Sequence, residues 1–255
     1  MDVVLISARS VQGGPHWSRA VASDVARALA ANGATVRWMC LTRPDETVAV
    51  AALERVERVD LAAAVAPFRG VEARVTDNVM DVALAKELRR RPPDVVVHLG
   101  AGAPGSANTL WLADRMGARA VGVVRAAEVL CHRGDYRDEH GRACASILDP
   151  IRCTTCCTTA SPGGLSAGAA RAAACLRFLG GLSPFPSPVQ FENRGDLLFA
   201  SLQLAAAVVT VDAGEAELLV RAGQPQRSLV TTDGAGLAAT VVATVQRVAA
   251  SVRGG

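Results

Sequence analysis

Short uninterrupted apolar runs alternate along the chain with segments whose apolar residues recur every three or four positions. Residues 3–6 are all apolar, which predicts a buried strand. Residues 18–33 carry apolar side chains at every fourth position and end in Asn-Gly, which predicts a helix and its stop. Residues 34–41 predict a second strand. Strand, glycine-rich loop, helix and strand in this order are typical of a βαβ unit.

The same two patterns continue through most of the chain. Further strands are predicted at 65–67 (the end of a short strand), 95–97, 120–124, 207–211 and 229–231. Further helices are predicted at 79–91, 107–116, 197–204, 215–222 and 237–252. Strands joined by helices imply parallel pairing. We therefore predict an α/β fold, a single Rossmann-like doubly wound and mainly parallel sheet with helices on both faces.

Two segments interrupt this pattern. Residues 131–166 are rich in Cys, Arg and Gly and have weak periodicity, so we predict an irregular Cys-rich insertion there. Residues 182–193 contain three prolines and cannot be helix or central strand throughout. No linker or fixed-period repeat is visible. We predict one domain over residues 1–255, with a Cys-rich metal-binding loop at 131–166 inside it.

Composition narrows the function classes. Half of the 255 residues are hydrophobic and 20% are charged, so a large core can form, and with 4% aromatics it is built from Ala, Val and Leu. The 27 basic and 24 acidic residues give no electrostatic reason to expect a nucleic-acid partner. No signal-peptide pattern and no apolar stretch of about 20 residues is present, so we expect a cytoplasmic protein without a membrane span.

Two glycines follow the first predicted strand. Gly13 and Gly14 allow close approach of a ligand to the backbone, and His16 stands two residues later at the same edge. Ligands of open α/β sheets bind outside the carboxyl ends of the strands, which makes this loop a candidate binding site. A plain turn with a surface histidine is the competing interpretation.

A second glycine-rich loop follows the strand at 95–97. Gly100, Gly102 and Gly105 have the G-x-G-x-x-G spacing that places a dinucleotide phosphate on a helix N-terminus. The next strand ends at Arg125, which suits a 2′-phosphate. Because Gly, Ala and Ser are abundant throughout the chain, a tight turn at the strand end is the alternative that we favour.

The most specific motif is formed by cysteines. Four of the seven fall in one segment with Cys-x12-Cys-x8-Cys-x2-Cys spacing: Cys131, Cys144, Cys153 and Cys156. Two thiolates with two residues between them can bind one metal ion, and a second pair completes a tetrahedron, which favours structural Zn²⁺ over an iron–sulfur cluster. Unconnected thiols without a metal are the alternative.

Other residues bear on this metal prediction. Cys157 is adjacent to the last ligand, and His132 or His140 could replace one cysteine. Cys40 and Cys175 lie in apolar patterns and are predicted to be core residues.

Taken together, these features resemble the N-terminal domain of GT-B glycosyltransferases, in particular the large retaining family 4. The likeness rests on the Gly13-Gly14 loop with its helix, on Pro-Asp-Val-Val-Val-His at 93–98, on 123–156 with its Cys pattern, and on 205–234. Family members transfer sugars from nucleotide donors. The resemblance implies a Rossmann-like fold and a cleft at the strand ends.

The resemblance also implies a function and a set of site residues. The chain is expected to be the acceptor-side half of a sugar-transfer enzyme, with a partner protein holding the nucleotide-sugar donor. Arg125 would bind a phosphate or carboxylate of a small-molecule or carbohydrate acceptor, and His16 and Arg125 are the catalytic candidates. The cleft would be lined by Gly13, Gly14, His16, Gly100, Gly102 and Arg125.

Three departures from the family pattern are visible. Arg125 and Ala126 stand where relatives carry a His-Asp pair, and Asp212 stands where they carry a Ser. Only a short segment follows Gly234, where two-domain relatives continue into the donor domain, and it resembles their closing helix. If the chain is a piece of a longer protein, a complete enzyme is the expectation instead.

Two other functions compete with sugar transfer. The chain could be a non-catalytic relative that binds a carbohydrate or another protein as a binding or scaffold module. It could also be an NADP- or nucleotide-binding enzyme that uses the loop from Gly100 to Gly105. A homo-oligomer is compatible with each of these functions.

Overall fold

The computed structural model describes residues 1–7, 17–42, 55–62, 78–101, 107–144, 148–160, 164–178, 187–232 and 236–253. The strands are β1 (Asp2–Ser7), β2 (Thr35–Thr42), β3 (Val56–Ala62), β4 (Val95–Leu99), β5 (Arg119–Val124), β6 (Ala207–Thr210) and β7 (Leu229–Thr231). The helices are α1 (Trp17–Ala31), α2 (Asn78–Arg90), α3 (Ala107–Arg115), α4 (Ala126–Leu130), α5 (Pro150–Ala160), α6 (Ala167–Phe178), α7 (Pro188–Gln203), α8 (Ala213–Arg221) and α9 (Leu237–Arg253). A short 3-10 helix covers Gln226–Ser228.

The strands form one seven-stranded sheet in the order β3-β2-β1-β4-β5-β6-β7. Every strand pair is parallel. The predicted fold class is therefore confirmed. Strand order reverses between β1 and β4, where Ser7 pairs with Leu99 at the last position of both strands. Ligands of doubly wound sheets bind at this kind of switch point.

The core consists of two layers, one on each face of the sheet. Alternate residues of a strand point to opposite faces, so Val3 and Leu5 enter one layer while Val4 and Ile6 enter the other. Helices α1 and α9 cover the first face, and α2, α3, α4, α7 and α8 cover the second. Both layers consist mainly of Ala, Val and Leu, as the low aromatic content predicts.

A buried arginine closes the amino edge of the sheet. The Arg37 side chain on β2 is fully buried, and it donates to the backbone carbonyl of Arg91 just after α2. Its Nε lies 3.6 Å from Oδ1 of Asp2, and Arg91 Nε lies 2.8 Å from Oδ2 of the same carboxylate. One carboxylate thereby connects β1, β2 and the end of α2.

One edge strand differs from the prediction. Strand β3 runs over Val56–Ala62, while the predicted strand end at 65–67 lies outside the described residues. The sequence of β3 alternates apolar with charged side chains, as in Val56-Glu57 and Val59-Asp60. An edge strand does not need the continuous apolar run that marks the central strands.

The Cys-rich segment and the segment after it are more helical than predicted. Helix α5 lies inside 131–166 although Cys and Thr are weak helix formers, whereas α6 directly follows that segment and is rich in Ala, the strongest helix former. Helix α5 packs against α6 and α7, so tertiary contacts stabilise it. The segment around it, including the turn at Gly141, is irregular as predicted.

Helix α7 begins nine residues earlier than the predicted start at residue 197. Ser187 and Gln190 form a reciprocal capping box, and Pro188 occupies the first helical position. Proline is tolerated there because the first helical N–H has no partner within the helix. Within the described ranges, no helix is long and apolar enough to cross a membrane.

Candidate functional site

The carboxyl edge of the sheet brings Gly100 and Arg125 side by side. Gly100 directly follows β4 with a φ of +80°, and its N–H donates to the carbonyl of Val123 on β5 over 2.8 Å. Arg125 follows β5 two residues after that carbonyl. The positive φ favours glycine at this turn, so backbone geometry explains the residue.

Arg125 is partnered by a buried carboxylate. Its Nε lies 3.6 Å from Oε1 of Glu215 in the first turn of α8; the Arg125 side chain is 51% exposed and that of Glu215 is 15% exposed. An ion pair with one exposed partner adds little to the stability of the protein, but this one orients the guanidinium of Arg125. The planar fork of an arginine binds phosphate or carboxylate through two hydrogen bonds. Arg125 is thus positioned to bind an anion at the carboxyl edge.

Glu215 also holds the start of α4. Its carboxylate accepts hydrogen bonds from the backbone N–H groups of Ala126 and Val211. Burial raises the pKa of Glu215 above its ordinary value, although these hydrogen bonds and the Arg125 charge oppose that shift. One acidic side chain therefore connects the ends of β5 and β6 to α4.

Helix α4 is held at its other end as well. Arg194 of α7, which is 5% exposed, donates to the carbonyls of Glu128 at 2.6 Å and Val129 at 3.0 Å. A cation at the last carbonyls of a helix is favourable. The indole N–H of Trp17 donates to the carboxylate of Glu128. Helix α4 is therefore a fixed link between Arg125 before it and Cys131 after it.

The remaining predicted cleft residues belong to two loops at the switch point. Gly13, Gly14 and His16 connect β1 to α1, and Gly102 connects β4 to α3. These four residues lie outside the described part of the chain, as does Gly105. Their binding roles stay predictions, as do those of Gly100 and Arg125.

The Cys-rich segment begins with a tight hairpin-like turn. Arg137 and Ala143 form an antiparallel bridge, and Gly141 between them has a φ of +79°, which favours glycine. The carboxylate of Asp138 lies inside the turn and accepts from the backbone N–H groups of His140 and Arg142, both at 2.9 Å. The Nε of Arg142 donates to the same carboxylate at 3.1 Å.

The turn fixes the second cysteine, and α5 presents three more. The backbone N–H of Cys144 donates to the carbonyl of Tyr136 over 2.9 Å. The Asp149 carboxylate accepts from the N–H of Arg152 in the first turn of α5, which begins at Pro150. Helical residues three and four positions apart share a face. That rule places three thiols together: Cys153, Cys156 and Cys157.

All five of these cysteines line one small cavity, which we call the thiol cavity. Its volume is about 20 Å³, roughly the space of a single water-sized sphere. His132 also lines it, whereas His140 is 3.7 Å from the carboxylate of Glu139 and does not. The charged lining consists of three arginines and two carboxylates: Arg133, Arg137, Arg152, Asp138 and Glu139.

Burial raises the pKa of two of these thiols, Cys153 and Cys156. Burial and the charges of Cys131 and Cys144 raise the pKa of Cys153 to about 12. Burial also raises the pKa of Cys156, although Arg133 opposes the shift by donating to its Sγ over 3.4 Å. The Sγ of Cys156 in turn contacts the carbonyl of Arg137 at 3.6 Å.

The four predicted zinc ligands are thus brought together. Among the residues that the structure describes, however, no group of three or more His, Cys, Asp or Glu side chains is arranged so that it could hold a metal ion. Zinc ligation by these cysteines stays a prediction.

The two cysteines outside the cluster differ from each other. Cys40 is buried on β2 with its Sγ 3.6 Å from the Ser7 hydroxyl, as predicted for a core residue. Cys175 is exposed, so its assignment to the core was wrong. Helix α6 buries the small side chains of Ala170 and Ala174, and Cys175 lies about 100° further round the helix.

Sequence reasoning did not identify Glu215 and Arg194 as site residues. The Asp212-x-x-Glu215 pattern indicates a helix cap, and Asp212 does accept from the Glu215 N–H at 2.8 Å. Asp is among the most favourable N-cap residues, so the position of Asp212 before α8 has a structural explanation. Nothing local in the sequence shows that the carboxylate of Glu215 reaches α4.

Comparisons with known proteins identify the fold. No family model and no curated protein matches the sequence. Among solved structures, the chain is similar to a sucrose-phosphate synthase from Thermosynechococcus elongatus, with a TM-score of 0.55, 11% identity and 99% of each chain covered. The fold is therefore Rossmann-like, as in the matched chain of that synthase.

Two further similarities are weaker and partial. A UDP-GlcNAc 2-epimerase from Neisseria meningitidis bound to UDP-GlcNAc matches with a TM-score of 0.45 and 11% identity, over 91% of this chain and 46% of the epimerase. A ugt transferase from Siraitia grosvenorii in complex with UDP matches with a TM-score of 0.45 and 12% identity, over 91% of this chain and 50% of the transferase. The chain spans about half the length of both.

Proposed function

We propose that the chain is the acceptor-side half of a GT-B sugar-transfer enzyme. The reaction forms a bond between the anomeric carbon of a donor sugar and an acceptor oxygen. The nucleoside diphosphate leaves with the electrons of the broken bond, and the acceptor hydroxyl loses its proton. The family resemblance favours retention of the anomeric configuration.

The single observation that carries this proposal is the position of Arg125. It lies at the carboxyl edge of a parallel sheet, next to the Gly100 turn and oriented by Glu215. Its guanidinium is half exposed and suits an anionic group through paired hydrogen bonds. We therefore propose an acceptor that carries a phosphate or a carboxylate, and the name of the matched sucrose-phosphate synthase favours phosphate.

The nucleotide-sugar donor requires a second domain in this proposal. The matched epimerase and transferase are each about twice as long as this chain. We propose that a partner protein supplies the donor-binding half, so that the reaction occurs between the two. His16, at the switch-point loop, remains the other catalytic candidate.

A reconstitution experiment tests the proposal. The chain is mixed with the products of neighbouring genes and with UDP- and GDP-sugars, and sugar transfer to phosphorylated sugars is followed by mass spectrometry. We expect transfer only when both proteins are present. In the pair that is active, Arg125→Ala should raise KM for the phosphorylated acceptor at least about tenfold, because a bidentate charged contact is lost.

Arg119→Ala is the matched control. Arg119 is an exposed arginine at the opposite, amino end of the same strand β5, so its loss changes the net charge equally but leaves the carboxyl edge intact. If the two substitutions raise KM for the phosphorylated acceptor equally, the assignment of Arg125 to the acceptor site is contradicted. Complex formation without any turnover would favour the non-catalytic binding module instead.

A further inference from the structure

Cysteines from three separate segments meet at the thiol cavity. Cys131 follows α4, Cys144 follows the turn at Gly141, and the others lie on one face of α5. Up to 26 positions separate them in sequence, from residue 131 to residue 157. Five of the seven thiols in the chain therefore meet in one place. Packing alone does not explain this arrangement, because Ala or Val would fill the same space.

We infer that the thiol cavity binds one structural Zn²⁺ ion. Four cysteines supply the ligands: Cys131, Cys144, Cys153 and Cys156. Each thiol gives up its proton to solvent on binding, so the filled site carries two negative charges. This site is independent of sugar transfer and goes beyond the proposed function.

The size of the cavity and its charged lining support this inference. The cavity has room for roughly one water-sized sphere, which is the scale of a single bound ion. Three arginines and two carboxylates, Asp138 and Glu139, line it, so the lining carries one net positive charge that partly offsets the double negative charge of a tetrathiolate. The hydrogen bond from Arg133 to Cys156 is compatible with ligation, because metal-bound thiolates accept N–H groups.

The choice of four cysteines among five follows from their positions. Cys153 lines the same cavity as Cys131, Cys144 and Cys156. Cys156 faces the turn, since its Sγ contacts both Arg133 and the Arg137 carbonyl. Cys157 lies on the same face of α5. We assign Cys156 rather than Cys157 as the fourth ligand because the contacts of its Sγ connect it to the turn that carries Cys144.

Ligation requires the four sulfurs to move closer together than they lie in the structure. The structure does not gather the four sulfurs into a ligand set. Helix α5 already presents two of them, so the remaining movement falls on Cys131 and Cys144. The consequence is that the ion fixes the end of α4.

Metal analysis of the full chain tests the inference. Protein purified under reducing conditions without chelator should contain about one equivalent of zinc. Cys153→Ser and Cys156→Ser should retain less than about a third of that amount, because a closed site depends on all four ligands. Cys157→Ser and the exposed Cys175→Ser are matched controls and should keep the full amount.

A second measurement on the unmodified chain tests the inference even if the variants fail to fold. In the unmodified chain, zinc is exchanged for Co²⁺, and the absorption spectrum is recorded. A sulfur-to-cobalt charge-transfer band with the d–d bands of a tetrahedral tetrathiolate is the expected result. Less than about half an equivalent of zinc in fresh protein with no uptake of added Co²⁺ would overturn the inference. So would iron with acid-labile sulfide, a disulfide among the four, or loss of zinc in Cys157→Ser alone.

Discussion

At the scale of single residues, Asp138 organises the turn that carries Cys144. Its buried carboxylate accepts three hydrogen bonds, two from backbone N–H groups and one from Arg142. Burial works to raise its pKa, but the N–H groups of Arg142 and His140 and the Arg142 charge outweigh burial and lower the pKa. The ionised carboxylate is therefore part of the folded turn.

This lowered pKa predicts a pH-dependent contribution to stability. Because the folded pKa lies below the unfolded one, the contribution is present above the unfolded value of about 3.9 and is lost as pH falls through the folded value. Asp138→Asn should lower the unfolding temperature at pH 7. The difference from the unmodified chain should shrink below about pH 4.

Thermal unfolding measures this difference in unfolding temperature when it is followed by circular dichroism from about pH 3 to about pH 7. Asp196→Asn is the control, because Asp196 is exposed on α7. A difference that stays constant over the whole range would show that the Asp138 charge does not contribute to the turn.

At the scale of elements, Gly122 sets the spacing between β5 and the helices above it. A Cβ at this position would lie 3.4 Å from methyl groups of Leu110 on α3 and Leu202 on α7. It would also lie 3.7 Å from the Cβ of Ala101. The strand can approach both helices because this side chain is absent.

Gly122→Val should therefore destabilise the protein. Overpacking of a closely packed core costs about 1–3 kcal/mol, and the branched side chain has no space between the two leucines. Chemical denaturation with urea measures the free energy of unfolding and its change.

Gly168→Ala on α6 is the matched control. A Cβ there meets no atom within 4 Å, so the change should be neutral or stabilise by about 0.5 kcal/mol. If Gly122→Val also proves neutral, the packing between β5, α3 and α7 is looser than the structure shows.

At the scale of the whole molecule, stability is expected to decrease from the centre of the sheet to its edges. Strands β1 and β4 are buried on both faces and paired on both sides. Strand β3 has one unpaired edge, and β7 at the other end is half-buried throughout. Backbone amides open most rarely where burial and pairing are complete.

Hydrogen exchange followed by mass spectrometry tests this order. Peptides from β1, β4 and β5 should exchange at least about tenfold more slowly than peptides from β3 and β7, relative to their rates in the unfolded chain. Equally slow exchange in β3 would indicate that an additional element or a partner covers that edge.

Much of the fold follows from the sequence because its signals are local. The central strands β1, β4 and β5 appear as apolar runs, since burial on both faces requires apolar residues at every position. Helices α1 and α9 are visible from their periodicity. Edge strand β3 and helices α4 and α5 were not assigned, because tertiary contacts stabilise them more than their own composition does. Helix α6 was not assigned either, although its Ala-rich sequence favours a helix.

The sequence by itself determined the strand and helix pattern, the Cys motif and the candidate residues at strand ends. Only the tertiary structure decided which of these meet. It placed Gly100 beside Arg125, supplied Glu215 and Arg194 as partners of α4, and gathered five cysteines around one cavity. The reason is physical: spacing within a helix or strand fixes local neighbours, whereas contacts between distant segments depend on how the whole sheet and its helices pack.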